Sequence, residues 1–239
     1  MGSFLKEERN VMLASKQIIH GKVIRSFLHA LNASSDKYIL KGGTALMLCY
    51  GLNRFSEDID LDSTDRKTIR SVVEKFCKEN GYSFRVGKDT ATTLRFLIHY
   101  DDSTPLKVEV SFRRKNLSFK DTAVINGILV YGINALCAMK TNAYQSRDKI
   151  RDLFDLSFII NKYFNDLNES VLFSAGDAIS FKGGLEQFDY LVATQHDDLI
   201  DENVLAGSFM EAMDMLGILS GQSEREQEKS FESHPLEDK

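Results

Sequence analysis

The order of secondary structure is clearest in residues 38–62, YILKGGTALMLCYGLNRFSEDIDLD. This stretch predicts a short strand at 38–40, a turn at Gly42-Gly43 and a short apolar helix over 44–50. Acidic and aliphatic residues then alternate strictly over 58–62, which is typical of a strand with one charged and one apolar face. The order strand, glycine turn, helix, strand indicates a mixed α/β body.

Hydrophobic periodicity predicts the elements on either side of this stretch. Before it, apolar residues at 3- and 4-residue steps predict a helix over 4–31. After it, the pattern predicts a helix over 66–80, strands at 82–87, 92–100 and 106–113, and two short extended pieces within 122–131. From residue 133 the period is helical, with helices over 133–147 and 150–164 and others through about 219. The expected class is α+β, with a mixed sheet and flanking helices followed by a helical bundle.

Charge divides the chain in a similar way. Residues 1–160 carry 25 Lys and Arg against 18 Asp and Glu, whereas residues 161–221 carry 2 against 11. A basic part can attract phosphate groups and an acidic part would repel them, although the simpler interpretation of the acidic part is an ordinary solvated surface. We expect an α/β domain over 1–132, a helical bundle over 133–220 and a flexible charged tail over 221–239.

Composition narrows the class of protein. The chain has 239 residues, of which 43% are apolar and 27% charged, as in soluble globular proteins. No apolar run approaches the roughly 18–20 residues of a membrane helix, and the first residues are too polar for a secretory signal peptide. Three isolated cysteines, Cys49, Cys77 and Cys137, favour a reducing compartment over a disulfide scaffold or zinc site. A cytoplasmic protein with no membrane partner is the expectation.

Two aspartates are the strongest local indication of chemistry. Asp58 and Asp60 are two apart on a predicted strand, so their carboxylates leave the same face about 6–7 Å apart at the backbone. Like charges at that spacing are costly unless a cation neutralises them, and oxygen ligands suit Mg²⁺. The alternative is an exposed edge strand with scattered acids. The preceding glycine turn favours the metal site.

The segment Gly42-Gly43-Thr44 is the second indication. Glycines between a strand and a helix allow backbone N–H groups to approach a phosphate, and Thr44 adds a hydroxyl. Alone, the pair would indicate a tight turn that requires positive φ. A phosphate-binding turn beside a metal site is what a nucleoside triphosphate requires.

A third acid is expected on a neighbouring strand. In 106–112 the aliphatic residues share one face, and Lys107, Glu109 and Ser111 share the other. Glu109 would bind a second ion or help to deprotonate an attacking hydroxyl, or it is simply solvated. The basic run 113–115 follows at once and would either touch a nucleic-acid backbone or form a solvated turn.

A fourth indication is helical. Lys140, Ala143 and Arg147 fall on one helix face, where a small residue between two cations admits a phosphate chain. Asp152 and Asp155 share a face of the next helix, where acids in the first turn also complement the helix dipole. Asp152 could also pair with Lys140 or Arg147.

Taken in order, these motifs resemble the nucleotidyltransferase superfamily and, more narrowly, the AbiEii/AbiGii toxin family of type IV toxin–antitoxin systems. The resemblance rests on four stretches between residues 41 and 155, which are Lys41-Gly42-Gly43-Thr44-Ala45-Leu46, the run Gly51-Leu52-Asn53-Arg54-Phe55-Ser56-Glu57-Asp58-Ile59-Asp60-Leu61, Lys140-x-x-Ala143 and Asp152-x-x-Asp155. The wider superfamily usually has Gly-Ser where this chain has Gly43-Thr44, and Thr44 still offers a hydroxyl.

The resemblance implies a polymerase-β-like fold and an NTP-dependent nucleotidyltransferase that uses two Mg²⁺ ions. It implies that Gly42, Gly43 and Thr44 hold the triphosphate, that Ser56 contacts phosphate, that Asp58, Asp60 and Glu109 hold metal, that Lys140 contacts the nucleotide, and that Asp152 is the late acid of the family. An RNA acceptor such as the tRNA 3′ end and a cognate antitoxin are the implied partners. Two alternatives remain open: a non-catalytic NTP-binding regulatory module of the same fold, and a nucleotidyltransferase that acts on a protein or small molecule.

Overall fold

A computed structural model describes residues 2–102, 104–114 and 117–219, with side chains from residue 15 onward. Its contacts divide the chain into two compact units, the first ending at Gly132 and the second beginning at Ile133. The predicted tail, 221–239, lies outside the described residues. Each unit is described by itself.

The first unit consists of a sheet and three helices. The helices are α1 (Gly2–Ser34), α2 (Gly42–Ala45), which continues into a π-helical turn at Leu46–Tyr50, and α3 (Thr68–Asn80). The strands are β1 (Tyr38–Lys41), β2 (Ile59–Ser63), β3 (Ser83–Thr90), β4 (Thr93–His99), β5 (Leu106–Ser111), β6 (Thr122–Ile125) and β7 (Ile128–Tyr131).

The described residues of this unit form one seven-stranded sheet in the order β3-β4-β5-β2-β1-β7-β6. The β2–β5 and β1–β7 pairs are parallel, and the other neighbouring pairs are antiparallel. The sheet is therefore mixed, as the sequence predicts. Its centre is formed by β5, β2 and β1. The acidic run lies at β2, and β1 is the strand that precedes the glycines.

The alternation read from the sequence separates the two faces of the sheet. The apolar side chains of β5 at Leu106, Val108 and Val110 are fully buried. A row of buried aliphatic residues crosses the sheet at Leu94, Val110, Leu61, Leu40 and Val130. Burial of this row supplies the main favourable free energy of the sheet, and the acids are left on the opposite face.

Two helices cover the aliphatic face. The Arg70 guanidinium of α3 lies over the ring of Phe96 at 5.9 Å from the centroid. Phe27 of α1 meets Phe76 of α3 edge-on, with the ring centroids 5.3 Å apart. Gly81 ends α3 with a φ of 69°, the left-handed conformation that glycine adopts at low cost.

Several boundaries differ from those predicted from the sequence. The first helix is longer at both ends, Gly2–Ser34. The α2 helix begins at Gly42, one residue after the strand ends, so the glycines form its first turn and no separate turn precedes it. Asp58 precedes β2, which begins at Ile59. These shifts reflect hydrogen bonding at element ends, which side-chain periodicity does not report.

The second unit is helical over its described residues. It contains α4 (Ile133–Ser146), α5 (Ile150–Tyr163), a 3₁₀ turn (Phe164–Asp166), α6 (Glu169–Phe181), α7 (Leu185–Thr194) and α8 (Glu202–Met215). Nine of the 14 residues of α5 are buried, including Asp152 and Asp155. In the described part of the chain, no helix combines the length and apolar character needed to cross a membrane.

Replacement of Leu40 by Ala should test the central row of the sheet. Leu40 is fully buried between Leu61 of β2 and Val130 of β7. We expect Leu40→Ala to lower the free energy of unfolding by about 2–5 kcal/mol, because a large-to-small change leaves a cavity. Urea denaturation followed by circular dichroism measures the change.

Val124→Ala is the matched control, since Val124 lies on edge strand β6 and is 71% exposed. Its effect should stay within about 0.5 kcal/mol. Equal losses in the two variants would show that the row does not form the core.

Candidate active site

A row of charged residues crosses the centre of the sheet on the face opposite the aliphatic row. Lys41 of β1 pairs with Asp60 of β2, Asp60 pairs with Glu109 of β5, and Glu109 pairs with Arg95 of β4. Neighbouring strands lie about 4.8 Å apart. The row therefore reads cation, acid, acid, cation, with both acids at its centre.

Each acid around this row has a basic neighbour. Both Nε and Nη2 of Arg95 approach Oε2 of Glu109, at 2.7 and 2.6 Å. Nζ of Lys107 makes an ion pair with Oδ2 of Asp58. Lys41 Nζ lies 2.5 Å from Oδ1 of Asp62. The other carboxylate oxygen of Asp62, Oδ2, accepts a hydrogen bond from the Tyr131 hydroxyl at 3.0 Å.

The pKa of the Asp60 carboxyl is raised in this cluster. Burial raises the pKa of its carboxyl above the ordinary value, and the carboxylates of Asp58 and Glu109 raise it further. The charges of Lys107 and Lys41 lower the pKa but do not cancel the rise. Asp60 is therefore an acid whose ionised form is costly in the folded protein.

The donor set fits a hard divalent cation. Three carboxylates on adjoining backbone positions offer the oxygen ligands that Mg²⁺ prefers, and a cation would relieve the repulsion at Asp60. Among the described residues, no three acidic, histidine or cysteine side chains are arranged as a ready metal site. In this arrangement Lys107 and Arg95 make ion pairs with Asp58 and Glu109.

The two glycines allow the backbone to approach this cluster. Gly42 has a φ of 76°, and a Cβ there would lie 3.4 Å from Oδ2 of Asp60. A Cβ at Gly43 would lie 2.7 Å from Nη2 of Arg54 and 2.9 Å from Oγ of Ser56. The first turn of α2 thus passes beside Asp60. At Gly42 the positive φ favours glycine, and at Gly43 a Cβ would come too close to Arg54 and Ser56.

Thr44 and Ser56 fasten the loop that carries Asp58 to this turn. The Thr44 hydroxyl hydrogen bonds to the Asp58 carbonyl oxygen, and its Oγ1 lies 2.9 Å from Oγ of Ser56. Both side chains are buried. Within the protein, these hydroxyls hold Asp58 in place beside the helix.

His20 supports the same loop from α1, and sequence reasoning does not single it out. Its Nε2 lies 2.7 Å from the Glu57 carbonyl oxygen, and its Nδ1 lies 2.6 Å from the Tyr100 hydroxyl. Because a carbonyl oxygen only accepts, Nε2 donates the hydrogen bond to Glu57. No motif marks this role, since the partners are 37 and 80 residues away along the chain.

The second unit contains a buried cluster of its own. Lys140 Nζ lies 3.2 Å from Oδ1 of Asp152 and 2.6 Å from Oδ2 of Asp155. Arg147 Nε lies 2.7 Å from Oδ2 of Asp152. Burial works to raise the pKa of Asp152, but the hydrogen bond from Arg147 and the charge of Lys140 outweigh it, and the net pKa is lowered. Asp152 therefore pairs with both cations.

The pKa of Asp60 has a consequence for stability. Since its folded-state pKa is raised, the native protein holds the proton more tightly than the unfolded chain, and unfolding free energy falls as pH rises above the ordinary value of 3.8. In EDTA, Asp60→Asn should therefore melt at a higher temperature than wild type at pH 7. The gap should close as pH falls toward 3.8.

Thermal melts from pH 4 to 8 measure this difference. Asp102→Asn is the control because Asp102 is an exposed acid in the turn before β5. An Asp60→Asn protein that melts below wild type at pH 7 would contradict the electrostatic account.

Comparison with known proteins gives this geometry a context. The family model described as "Nucleotidyl transferase AbiEii toxin, Type IV TA system" matches residues 26–210. None of the curated proteins matches the sequence.

Solved structures show the same likeness. JHP933 from Helicobacter pylori is 28% identical, with a TM-score of 0.71 over 90% of this chain and 98% of that one. A putative nucleotidyltransferase from H. pylori is also 28% identical, with a TM-score of 0.72 over 88% of this chain and 97% of that one. MenT4, a nucleotidyltransferase toxin from Mycobacterium tuberculosis H37Rv, is 17% identical, with a TM-score of 0.51 over 85% of this chain and 84% of that one, and shows the fold alone.

These likenesses confirm the expected polymerase-β-like fold and a nucleotidyltransferase enzyme. The family implies nucleotide substrates, divalent metal and an antitoxin partner. With a family match over most of its length, this chain belongs to the AbiEii family of nucleotidyltransferase toxins of type IV toxin–antitoxin systems.

Proposed function

We propose that this chain moves a nucleoside monophosphate from an NTP to a hydroxyl group of RNA, at the tRNA 3′ end, in a Mg²⁺-dependent reaction. The observation that carries the proposal is the parallel pairing of β2 with β5, which sets Glu109 beside Asp60 on the polar face. Asp58 precedes the same strand, and Gly42 of α2 lies against Asp60.

The three acids have distinct roles in this proposal. Asp58 and Asp60 would hold Mg²⁺, and Glu109 would bind a second ion. Bound there, Mg²⁺ supplies positive charge that stabilises the developing charge on the phosphate oxygens. The acceptor hydroxyl gives its proton to the carboxylate of Asp60 or Glu109 as its oxygen bonds to the α-phosphorus. The bond from that phosphorus to the bridging oxygen breaks, and pyrophosphate leaves.

The remaining site residues bind and orient. Backbone N–H groups of Gly42 and Gly43 face the triphosphate, which their missing side chains allow to come close. Thr44 and Ser56 keep that turn joined to the Asp58 loop and contact phosphate at its edge. Lys140 contacts the nucleotide, and Asp152 sets the position of its ammonium group.

Charge supports a nucleic-acid acceptor over a protein or small molecule. Residues 1–160 hold 25 Lys and Arg against 18 Asp and Glu. Arg113 and Arg114 follow directly after the strand that carries Glu109. A reaction that consumes NTP and tRNA takes place in the cytoplasm, with the antitoxin of the system as the protein partner.

Loss of Asp58 should abolish transfer without unfolding the protein. Each α-labelled NTP is incubated with Mg²⁺ and total cellular RNA or protein, and label in each fraction is counted. We expect label in the RNA fraction with wild type and a loss of at least about 100-fold with Asp58→Ala, because electrostatic groups at reacting phosphates contribute on this scale.

Asp102→Ala is the control, since it removes an exposed acid away from the row. It should transfer as wild type does. An Asp58→Ala protein that labels RNA at the wild-type rate would refute the assignment, and NTP binding without pyrophosphate release would indicate a regulatory module.

The salt dependence of binding affinity tests whether the acceptor is RNA. If the basic surface contacts about four phosphates of single-stranded RNA, affinity should fall roughly 50-fold between 50 and 200 mM salt. Fluorescence anisotropy with a labelled tRNA 3′ end measures this dependence. A flat response, together with label in the protein fraction, would favour a protein acceptor.

A further inference from the structure

Lys107 lies where a cation shared by the two aspartates would lie. It precedes Glu109 by two residues on β5, so both side chains leave the same face of the sheet. Its Nζ contacts Oδ2 of Asp58. The register that pairs Asp60 with Glu109 also sets Lys107 beside the Asp58–Asp60 stretch, so its ammonium group offsets part of the negative charge there.

Another cation can replace Lys107 in this ion pair at little cost in stability. The Lys107 side chain is 30% exposed and that of Asp58 is 42% exposed, so water screens their attraction and the pair contributes little net stability. Lysine presents one charge on a flexible four-carbon stem, which can move without changing the backbone. Arg95, by contrast, directs two N–H groups at Glu109 and is the more rigid partner.

We propose that Lys107 is an internal counter-cation that a divalent metal must displace from Asp58 and Asp60, and that the displaced ammonium group then binds a phosphate of the substrate. The inference rests on the proposed function, since it takes these two acids as metal ligands. It assigns a role in the reaction to Lys107, which belongs neither to the glycine turn nor to the acidic motif.

The exchange couples metal binding to nucleotide binding. When metal enters alone, Lys107 loses its carboxylate partners and gains only water. When NTP is also present, the ammonium group gains a phosphate oxygen, so each ligand strengthens the binding of the other. Thermodynamic linkage requires the coupling to be equal in both directions. Before either ligand arrives, the ammonium group offsets part of the acids' negative charge, which limits their mutual repulsion in the folded protein.

The test is a calorimetric titration of the full chain with Mn²⁺, without nucleotide. Removal of the competing charge in Lys107→Met should tighten Mn²⁺ binding about tenfold, equivalent to about 1.4 kcal/mol. Lys107→Gln should behave in the same way and guards against a local folding defect of the first variant. Lys75→Met removes the same charge from α3, where the side chain is 73% exposed, and should leave the affinity unchanged.

The second arm measures phosphate binding. At saturating Mg²⁺, Lys107→Met should bind an NTP analogue with an uncleavable α–β bridge about tenfold more weakly than wild type, although its metal binding is tighter. Opposite changes in the two affinities are the expected signature, and a merely structural lysine would weaken both.

Mn²⁺ affinity that is unchanged or weaker in both Lys107 variants would overturn the exchange, and so would unchanged affinity for the analogue. Label transfer by the wild-type protein is measured separately. If wild type transfers label and the Lys107 variants bind Mn²⁺ as it does, only this inference fails. If no protein binds Mn²⁺ and none transfers label, the proposed function fails with it.

Discussion

The parallel pairing of β2 with β5 is the constraint on which the candidate site depends. It places two carboxylates, Asp60 and Glu109, side by side at the spacing of neighbouring strands. Burial, and after it the like charges of Asp58 and Glu109, raise the pKa of the Asp60 carboxyl, so the ionised form of this acid opposes folding. The pairing persists because the opposite face of the same strands buries aliphatic residues. The favourable free energy of removing these residues from water outweighs the cost of the ionised acids.

The surrounding structure holds the acids in a geometry that they would not adopt alone. On one side, Thr44 and Ser56 join the Asp58 loop to the first turn of α2. On another, His20 donates to the carbonyl of the residue before Asp58. These contacts use uncharged groups, so they fix the backbone without neutralising the carboxylates. The neutralising charge comes from lysine and arginine side chains on the sheet, which can be exchanged for other cations.

The buried cluster of the second unit follows a different rule. Lys140 is held by two carboxylates that are themselves almost inaccessible to water, and Asp152 is further bound by Arg147. Removing one partner from such a cluster leaves a buried charge uncompensated, which is far more costly than loss of an exposed pair. The cluster therefore fixes the direction of Lys140, whereas the Lys107 pair in the first unit is free to exchange.

The sequence by itself determined the class of fold and the main elements around the site. Alternation in the acidic run and in 106–112 predicts strands with one charged face, and the glycines mark a tight turn of the backbone between strand and helix, because these are local properties of the chain. The roles of the individual site residues remain predictions. Local patterns also left open whether Asp152 pairs with Lys140 or Arg147, and it pairs with both.

Only the tertiary structure decided which residues meet across the sheet. That Arg95 faces Glu109, that Lys107 neutralises Asp58, and that His20 supports Glu57 depends on strand order and register, which arise from packing between segments far apart in sequence. Side-chain periodicity reports which face a residue occupies but not which strand lies beside it, because pairing partners are chosen by the burial of the whole aliphatic face.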